Sequence, residues 1–576
     1  MHQLIVMNKY FNKKIPFNLV AGVLFVFAYL CPYHLHPFRS YYNDGFVILG
    51  ALVLLFDLTI RPTVRFKFAS VSLLPFFLIL VILLQALTLS PVVGVNLLFP
   101  CLYLALAGVS IIIGATICSD EAGQKSFVTM LAVVFFIVGL ISVVMQLVQA
   151  FALNFAPFVM YMGNNASFAR PYANIAQPNQ LALILCFGLA ANYYIFQIGV
   201  LNAKVVIATS AFLLTGLVLT QSRIGWLIVP TFFVLLWQRS PQTIPVRRTV
   251  LIILSTVYLL MVLALPFIIA SFGVSGGSIA EHVGGRSERS VLWEQAWHMA
   301  SVHPWLGIGW FGFGAEQVRI AADFGSSTYA EHAHNIILNF AAEMGWPITL
   351  LVFVSLTWWF FQACLFTKQT ADTRFASLCL IAVTVHSMVE FPMWYAYILL
   401  PVSMLMGMLH HQRWPGRGII ISRKLSITVL VSVIISLAAM TWDYFHVIAG
   451  FNVFRAGTVN TEVGIKALQK PSITFYPEFF EYFKLMQIEP REGMSANDIA
   501  YVEKWTPRFG FVHILNKLAE IDVLNGETQK AATLMQTLQR LHPNEYPEYY
   551  DYWKAKGAID PRYEAVFVNM PKRDAP

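Results

Sequence analysis

Long apolar runs without charge dominate the chain and predict membrane-spanning helices. No charged residue occurs between Lys67 and Asp120, or between Lys125 and Arg170. Each of these stretches is long enough for more than one crossing of roughly 20 residues. We therefore predict an all-α, polytopic membrane protein with about 12–13 transmembrane helices. The candidate helices are residues 16–32, 45–60, 69–89, 96–118, 126–151, 179–200, 204–220, 224–238, 249–271, 347–366, 375–390, 394–411 and 425–447.

Composition supports this class and narrows the partners. Of 576 residues, 57% are hydrophobic and 12% are charged, whereas soluble domains carry about 25% charged residues. Lys9, Lys13 and Lys14 precede an apolar run that lacks a small-residue cleavage site, which predicts an uncleaved first span. The net charge of +8 is explained by basic residues in the loops. We therefore expect a lipid bilayer, and no nucleic acid, as a partner.

The basic residues also predict an orientation. With the N-terminus inside, the loops assigned to the cytoplasm hold 17 Lys and Arg, and the loops assigned outside hold six. The positive-inside rule favours this arrangement. It places outside both the polar loop 272–346, which belongs to the transmembrane domain, and everything after residue 447.

The composition changes after the last predicted span. Residues 448–576 hold 15 of the 38 Lys and Arg, together with many acidic and aromatic residues. The stretch Phe511–Leu541 predicts two amphipathic helices broken at Asn525-Gly526, with the spacing of a tetratricopeptide-like hairpin. We therefore divide the chain into a transmembrane domain, 1–447, and a small exported helical domain, 448–576. That domain could dock a protein partner or cap the loop.

Two histidines end the polar loop, in the segment Glu331–Asn335. Imidazole is the side chain best suited to moving a proton near neutral pH. His332 and His334 would point the same way in an extended segment and would diverge on a helix. Three interpretations of these histidines are weighed: a metal site, capping of the following helix, and a general base or acceptor-positioning role. A metal site needs at least a third ligand, and because no His-Glu-x-x-His pattern or carboxylate cluster supplies one, we expect no metal.

Few arginines fall in the loops assigned outside, and four of them are candidate anion ligands. Arg170 begins a polar stretch at the entrance to a helix, and Arg223 lies in a short loop between two spans. Arg286 and Arg289 are three residues apart, which would place both guanidinium groups on one face of a helix. Guanidinium binds phosphate through two donors at once, which suits a pyrophosphate whose charge grows as it leaves. The alternative is that these arginines anchor helix ends at the headgroup layer.

Two further polar groups accompany these candidates. Asn335 can hydrogen-bond locally, and the helix starting beside it would turn its positive N-terminal end toward a bound anion. Glu390 is a rare carboxylate at a membrane boundary, where such groups tend to be functional or paired. We expect Glu390 to orient a histidine or an arginine.

Several motifs resemble those of one enzyme superfamily. His-x-His-Asn, followed by Ile337–Phe340 and Glu343–Trp346, resembles the large external loop of the O-antigen ligases and polymerases. Further motifs are similar to those of bacterial protein O-oligosaccharyltransferases of the PglL type. They are Pro32-Tyr33-His34, Gln177-Pro178-Asn179, Thr220-Gln221-Ser222-Arg223, Gly307-x-Gly309 and Glu390-x-Pro392-x-Trp394-Tyr395. The resemblance covers nearly the whole membrane portion and continues weakly through the C-terminal domain.

The resemblance implies transfer of a whole oligosaccharide from undecaprenyl pyrophosphate to Ser or Thr of exported acceptor proteins, often pilins. It implies that His334 activates the acceptor hydroxyl, with His332 as a second candidate for carrying the proton. No cofactor, nucleotide sugar or metal is expected, because the donor's pyrophosphate is already a good leaving group. The site and the C-terminal domain would be periplasmic, in a multi-pass protein of the bacterial inner membrane. The other candidate residues are the donor-pyrophosphate ligands Arg223, Arg286, Arg289 and Arg170, and the supporting residues Gln177, Asn179, Glu390 and Asn335.

Three hypotheses of function compete. The first is the protein O-oligosaccharyltransferase, the second an O-antigen ligase acting on lipid A-core or an O-antigen polymerase, and the third a transporter of lipid-linked sugars. A transporter should carry ionisable groups near the bilayer midplane and often shows internal repeats. No such repeat is found, and the polar residues of interest collect on one side. The large exported tail favours a protein acceptor over a lipid acceptor.

Overall fold

A computed structural model describes residues 15–61, 65–89, 96–162, 170–238, 241–271, 288–416, 418–419 and 422–573. All thirteen predicted helices are present within these residues, and the all-α class is confirmed. The first nine are Ile15–Leu30 (α1), Tyr41–Ile60 (α2), Leu73–Thr88 (α3), Leu98–Ile117 (α4), Glu121–Ala150 (α5), Pro178–Gln197 (α6), Ala203–Leu219 (α7), Ile224–Trp237 (α8) and Arg248–Ser271 (α9).

The polar loop contains short helices of its own. They are Glu288–Val302 (α10), Phe313–Ile320 (α11) and Ile336–Met344 (α12). The last four predicted spans follow as Trp346–Phe360 (α13), Ala371–Ser387 (α14), Ala396–Arg413 (α15) and Arg423–Ala456 (α16). Single turns of 3₁₀ helix at Ser70–Ser72, Ala321–Asp323 and Pro392–Trp394, and a π-helical turn at Phe361–Leu365, lie beside these helices.

The long helices have the composition of membrane spans. Of the helices in the described residues, eight are long and apolar enough to cross a membrane. Another three, α1, α7 and α8, are apolar but shorter. An α-helix satisfies its own backbone hydrogen bonds, which lipid cannot do. The chain is therefore a multi-pass membrane protein.

Helix α16 extends beyond its predicted end at residue 447 and reaches Ala456. The buried carboxylate of Asp443 accepts hydrogen bonds from the hydroxyl of Thr474 at 2.8 Å and from the backbone N–H of Phe475 at 2.6 Å.

The chain forms two compact units. The first comprises Met1–Phe77, Tyr103–Gly285 and Val354–Ile435, and the second comprises Leu78–Leu102, Arg286–Phe353 and Ser436–Pro576. In the first unit the described residues contain one short ladder, in which Phe66–Lys67 (β1) pairs antiparallel with Gly418–Ile419 (β2). The functional division at residue 447 stays a prediction.

In the first unit, buried glutamines of α5 hold the segment that follows Arg170. The Gln146 amide donates to the carbonyl oxygens of Pro171 at 3.0 Å and Gly216 at 3.1 Å. The Gln149 amide donates to the carbonyl of Ala173 at 2.8 Å and accepts from the N–H of the same residue at 2.7 Å. Because a buried polar group without a partner is costly, these bonds fix the non-helical segment against the helix.

In the second unit, seven helices follow α16. The predicted hairpin is confirmed, since two of them flank a turn at Asn525-Gly526. Leu515, Met535 and Trp553 are buried in the core that the last helices share. The seven are Glu462–Leu468 (α17), Pro477–Gln487 (α18), Ala496–Trp505 (α19), Val512–Leu524 (α20), Thr528–Leu541 (α21), Tyr546–Gly557 (α22) and Pro561–Phe567 (α23).

Close packing of α4 against α15 predicts the effect of one substitution. A Cβ at Gly407 would overlap the backbone of Ile111, whereas a Cβ at Gly45 of α2 would meet nothing within 4 Å. We expect Gly407→Ala to destabilise the protein by about 1–3 kcal/mol, as overpacking does. Gly45→Ala should be neutral or stabilising, since alanine favours helices. Thermal melting of the detergent-purified variants checks this, and equal melting temperatures would contradict the close approach.

Candidate active site

The histidine segment Glu331–Asn335 adopts neither geometry considered from the sequence. His332 is buried, and His334 is half-buried with a left-handed backbone at φ +50°. This conformation costs a non-glycine residue roughly 1–2 kcal/mol, so the surroundings must hold it. The two imidazoles are therefore related neither by strand geometry nor by helix geometry.

Asn335 caps α12, directly after His334. Its side-chain oxygen accepts from the N–H groups of Ile337 and Leu338, each at 3.1 Å. The cap satisfies two of the amides that the first helical turn leaves without partners. The predicted local hydrogen bonding of Asn335 is observed. The partly positive N-terminal end of α12 thus begins beside His334.

The backbone between the two histidines is fixed by Asn339 of α12. The buried Asn339 side chain accepts from the N–H of Ala333 at 3.0 Å. Ala333 is itself fully buried, in a core with Leu292 and Ala296 of α10 and Phe313 of α11. The histidine segment is therefore seated on the three short helices of the loop.

Glu343 is a buried carboxyl group on α12 that sequence reasoning did not identify as functional. Burial raises its pKa to about 8, although the backbone amides of Phe311 and Phe313 and the side chain of Asn339 act in the opposite direction. The Phe313 N–H donates to the carboxyl oxygen at 3.4 Å. Perturbed carboxyl groups of this kind cluster at functional sites. The sequence did carry a signal for Glu343, because it is an acidic residue in the otherwise largely apolar helix α12.

The predicted Gly307-x-Gly309 turn is observed, and Gln85 of α3 holds it. The Gln85 amide donates to the carbonyl oxygens of Leu306 and Glu343, each at 2.7 Å, and accepts from the N–H of Trp310 at 3.1 Å. Gly307, at φ +66°, lies so close to the Glu343 backbone that a Cβ would overlap it. The turn is therefore tied both to a membrane helix and to the end of α12.

The C-terminal helices also contact the loop. The N–H of Ser327 donates to the Arg540 carbonyl at 2.8 Å, and the N–H of Tyr329 donates to the Leu541 carbonyl at 3.0 Å. Both carbonyls belong to the last two residues of α21, the second helix of the hairpin. These contacts are of the kind that a cap on the loop would make. Docking of a protein partner stays a prediction.

One predicted donor ligand belongs to the same unit as the histidines. Arg289 is the second residue of α10 and is half-buried. Helix α10 packs against α12, which begins after His334. Arg286 lies outside the described residues, so the shared helical face of the two arginines stays a prediction.

In the first unit, Asn179 joins two other predicted site residues, Arg170 and Glu390. Its side-chain oxygen accepts from Arg170 at 3.1 Å and from the Ser222 hydroxyl at 2.8 Å, and its amide donates to Glu390 at 2.7 Å. Arg170 also donates to the carbonyl of Thr220 at 3.2 Å. Glu390 is buried. Asn179 therefore bridges Arg170 and Glu390, and the expectation that Glu390 orients a histidine or an arginine stays a prediction.

Three further motif residues belong to the same unit. Arg223 immediately precedes α8 and is exposed. Gln177 caps α6, since its side-chain oxygen accepts from a backbone N–H of the first turn. His34 hydrogen-bonds the carbonyls of Arg39 at 2.7 Å and Asn174 at 2.8 Å, which ties the first loop to the segment after Arg170.

The chemistry available in these clusters is proton transfer and anion binding. His334 offers a half-buried imidazole, and Arg170, Arg223 and Arg289 offer guanidinium groups that are permanently charged. Within the described part of the chain, no three His, Cys, Asp or Glu side chains are grouped as a metal site requires.

The buried carboxyl of Glu343 predicts a pH dependence of stability. Its pKa is about 8 in the folded protein and roughly 4.3 in an unfolded chain, so the folded state binds the proton more tightly. The resulting stability is complete below about pH 4.3 and is lost as the pH rises through about 8. We expect Glu343→Gln to flatten the fall in melting temperature between about pH 5.5 and 8.5. The exposed Glu489→Gln control should keep the wild-type slope, and an unchanged slope in Glu343→Gln would contradict the assignment.

Comparisons with known proteins agree with the motifs. The family described as O-antigen ligase matches residues 208–353, and the family described as virulence factor membrane-bound polymerase, C-terminal, matches residues 375–554. A general O-oligosaccharyltransferase of Acinetobacter baylyi is 24% identical over 550 residues, which cover 92% of this chain and 93% of that protein. A ComP-specific O-oligosaccharyltransferase of the same species is 26% identical over 420 residues, which cover 70% and 73%. The predicted resemblance to the O-antigen ligase superfamily, and within it to the O-oligosaccharyltransferases, is therefore confirmed along most of the chain.

Proposed function

We propose that this protein is a bacterial protein O-oligosaccharyltransferase. It transfers a whole glycan from undecaprenyl pyrophosphate to Ser or Thr of exported proteins such as pilins. The observation that carries the proposal is the similarity to two O-oligosaccharyltransferases, one of them along 92% of this chain. This similarity supports a glycosyltransferase-type enzyme of protein O-glycosylation. The donor lipid and the acceptor class rest on the motifs.

In the proposed reaction, His334 takes the proton of the acceptor hydroxyl. The hydroxyl oxygen forms a bond to the anomeric carbon of the donor sugar, and the bond from that carbon to the phosphate oxygen breaks. The electron pair of the broken bond leaves with the pyrophosphate. His334 is preferred to His332 because it is half-buried, whereas His332 is 9% exposed and packs edge-on against Phe311.

The arginines are proposed to bind the donor pyrophosphate, whose negative charge grows as the sugar leaves. Arg289 is proposed for this role because it lies on α10, the helix that packs against the one after His334. Arg286 is proposed for the same role from its spacing. In the first unit, Arg170 is oriented by Asn179 and Arg223 is exposed. Gln177, Glu390 and Asn335 are proposed as supporting residues.

The proposed location is the bacterial inner membrane, with the histidine loop and the C-terminal helices on the periplasmic side. The distribution of basic residues supports this orientation, with 17 Lys and Arg in the loops assigned to the cytoplasm against six outside. A lipid-linked donor would then meet exported acceptors on that side.

A second candidate function is supported by the family descriptions. They name an O-antigen ligase and a virulence factor membrane-bound polymerase. An O-antigen ligase acting on lipid A-core, or a polymerase, would use the same donor with a different acceptor. The identity of the acceptor therefore separates the candidates.

Reconstitution of the purified protein tests the proposal directly. The protein is supplied with polyprenyl-pyrophosphate glycan, candidate exported proteins and lipid A-core. We expect a mass increase of one whole glycan on a Ser or Thr of an exported protein, measured by intact-protein and peptide mass spectrometry. Transfer only to lipid A-core, or lengthening of the glycan without protein modification, would reject the protein O-oligosaccharyltransferase.

The same assay tests the histidine. His334→Ala should lower the transfer rate by roughly 10²- to 10⁴-fold, the usual contribution of a general base, while the protein remains inserted and folded. His298→Ala, an exposed histidine of α10, serves as the matched control and should retain activity. Wild-type activity in His334→Ala would refute the assigned role.

The arginine hypothesis predicts an effect on donor use. Arg289→Ala and Arg286→Ala should each reduce kcat/KM for the donor by roughly 10-fold or more, because a charge-assisted hydrogen bond contributes about 1.5–3 kcal/mol. KM for the acceptor should change less. Arg319→Ala removes an exposed arginine paired with Glu316 at 2.9 Å and is the control. A larger effect on acceptor KM than on donor use would count against the assignment.

A further inference from the structure

Arg508 links the C-terminal helices to the histidine segment. It lies in the turn between α19 and α20, and its guanidinium group donates to the Glu331 carboxylate at 2.8 Å. Glu331 is the first residue of the segment Glu331–Asn335. The Arg508 side chain is 16% exposed and that of Glu331 is 41% exposed. The ion pair is therefore partly shielded from water. Its charges interact more strongly than they would on an open surface, because the local dielectric constant is lower.

A second contact leads from Arg508 to the same histidines. The guanidinium carbon lies 5.6 Å from the ring centre of Phe311, within the range of a cation–π interaction. The Phe311 ring in turn packs edge-on against His332, with 5.6 Å between ring centres. Arg508 thus reaches the histidine segment through a carboxylate on one path and through an aromatic ring on the other.

The groups around Arg508 keep it charged. Burial alone would lower its pKa, but the charge of Glu331 and the hydrogen bond to it raise the pKa above the ordinary arginine value. Tyr329 and Glu478 act in the same direction. A permanently charged, planar guanidinium group holds its partners in one geometry more strictly than lysine would.

Hydrogen bonds between the loop and the C-terminal helices hold the backbone on both sides of the Arg508–Glu331 pair. The N–H groups of Ser327 and Tyr329 donate to the last carbonyls of α21, and the Tyr329 hydroxyl donates to the Arg508 carbonyl at 3.4 Å. Glu331 follows two residues later. The backbone bonds therefore set the register of the loop, and the Arg508–Glu331 pair extends the attachment into the histidine segment.

We propose that Arg508 is a positioning residue for glycan transfer, which holds the histidine segment in its reactive geometry through Glu331 and Phe311. The inference rests on the proposed function. It gives the C-terminal helices a part in catalysis through the position of the histidine segment. A displacement of about 1 Å in a catalytic group can lower a rate by 10²-fold, so loss of the pair should reduce kcat.

The test uses the full-length protein and compares two ion pairs. Arg508→Gln and Glu331→Gln remove the proposed link, and the double variant Glu331→Arg/Arg508→Glu exchanges its charges. Arg562→Gln is the control on an exposed surface, since Arg562, 43% exposed, pairs with Glu492 at 2.9 Å and with Asp560 at 2.8 Å. We expect each single variant to lower kcat roughly 10- to 100-fold with donor KM within about twofold. The exchanged pair should recover part of kcat, and the control should match the wild type.

A second readout does not depend on glycan transfer. The rate at which diethyl pyrocarbonate modifies His334 in the folded protein is followed by peptide mass spectrometry. We expect a severalfold change of this rate in Arg508→Gln and in Glu331→Gln, a return toward the wild-type rate in the exchanged pair, and no change in Arg562→Gln. Melting temperatures identify any variant that fails to fold. If Arg508→Gln does not fold, Glu331→Gln is compared with the wild type instead.

The outcomes separate the two proposals. If the wild type transfers no glycan but His334 reactivity follows the expected pattern, the proposed function fails, whereas Arg508 is still shown to hold the geometry of the histidine segment. If the wild type transfers glycan and the single variants match Arg562→Gln in both readouts, the positioning role is overturned. A loss of kcat in both single variants without any recovery in the exchanged pair also overturns it, because the effect then belongs to each side chain separately.

Discussion

Buried polar groups need hydrogen-bond partners, and meeting this need holds several non-helical segments of this protein against its helices. Leaving such a group without a partner costs roughly 1–3 kcal/mol, and a lipid phase supplies no partners. Gln85, Gln146 and Gln149 meet this need by bonding the backbone of loops and turns. The same bonds satisfy loop carbonyls that are removed from water. In each unit, amide side chains therefore hold the backbone beside candidate site residues.

In the second unit, hydrogen bonds hold the backbone beside His334, and buried or paired ionisable side chains surround it. Asn335 and Asn339 secure the chain on both sides of His334, and Glu343 remains largely protonated near neutral pH because it is buried. Arg508, paired with Glu331, adds a guanidinium group that is permanently charged. Groups set in place before the substrate arrives need little reorganisation during reaction, which is a large part of enzymatic rate enhancement.

The sequence predicts the parts of this structure that local patterns control. Apolar runs locate all thirteen helices, and the hairpin of α20 and α21 follows from its amphipathic period. Asn335 is recognisable as a cap because asparagine precedes an apolar helix. The pairing of Glu331 with Arg508 joins residues 177 positions apart, and no local pattern encodes it. The left-handed backbone of His334 was equally inaccessible, since histidine favours that region only weakly.

The hydrogen bonds between the loop and the last residues of α21 have a consequence for the order of synthesis. A ribosome completes Tyr329 long before it reaches Leu541, the residue whose carbonyl the loop binds. The loop therefore leaves the ribosome without its final partner, and its native setting is reached only after α21 has been made and folded.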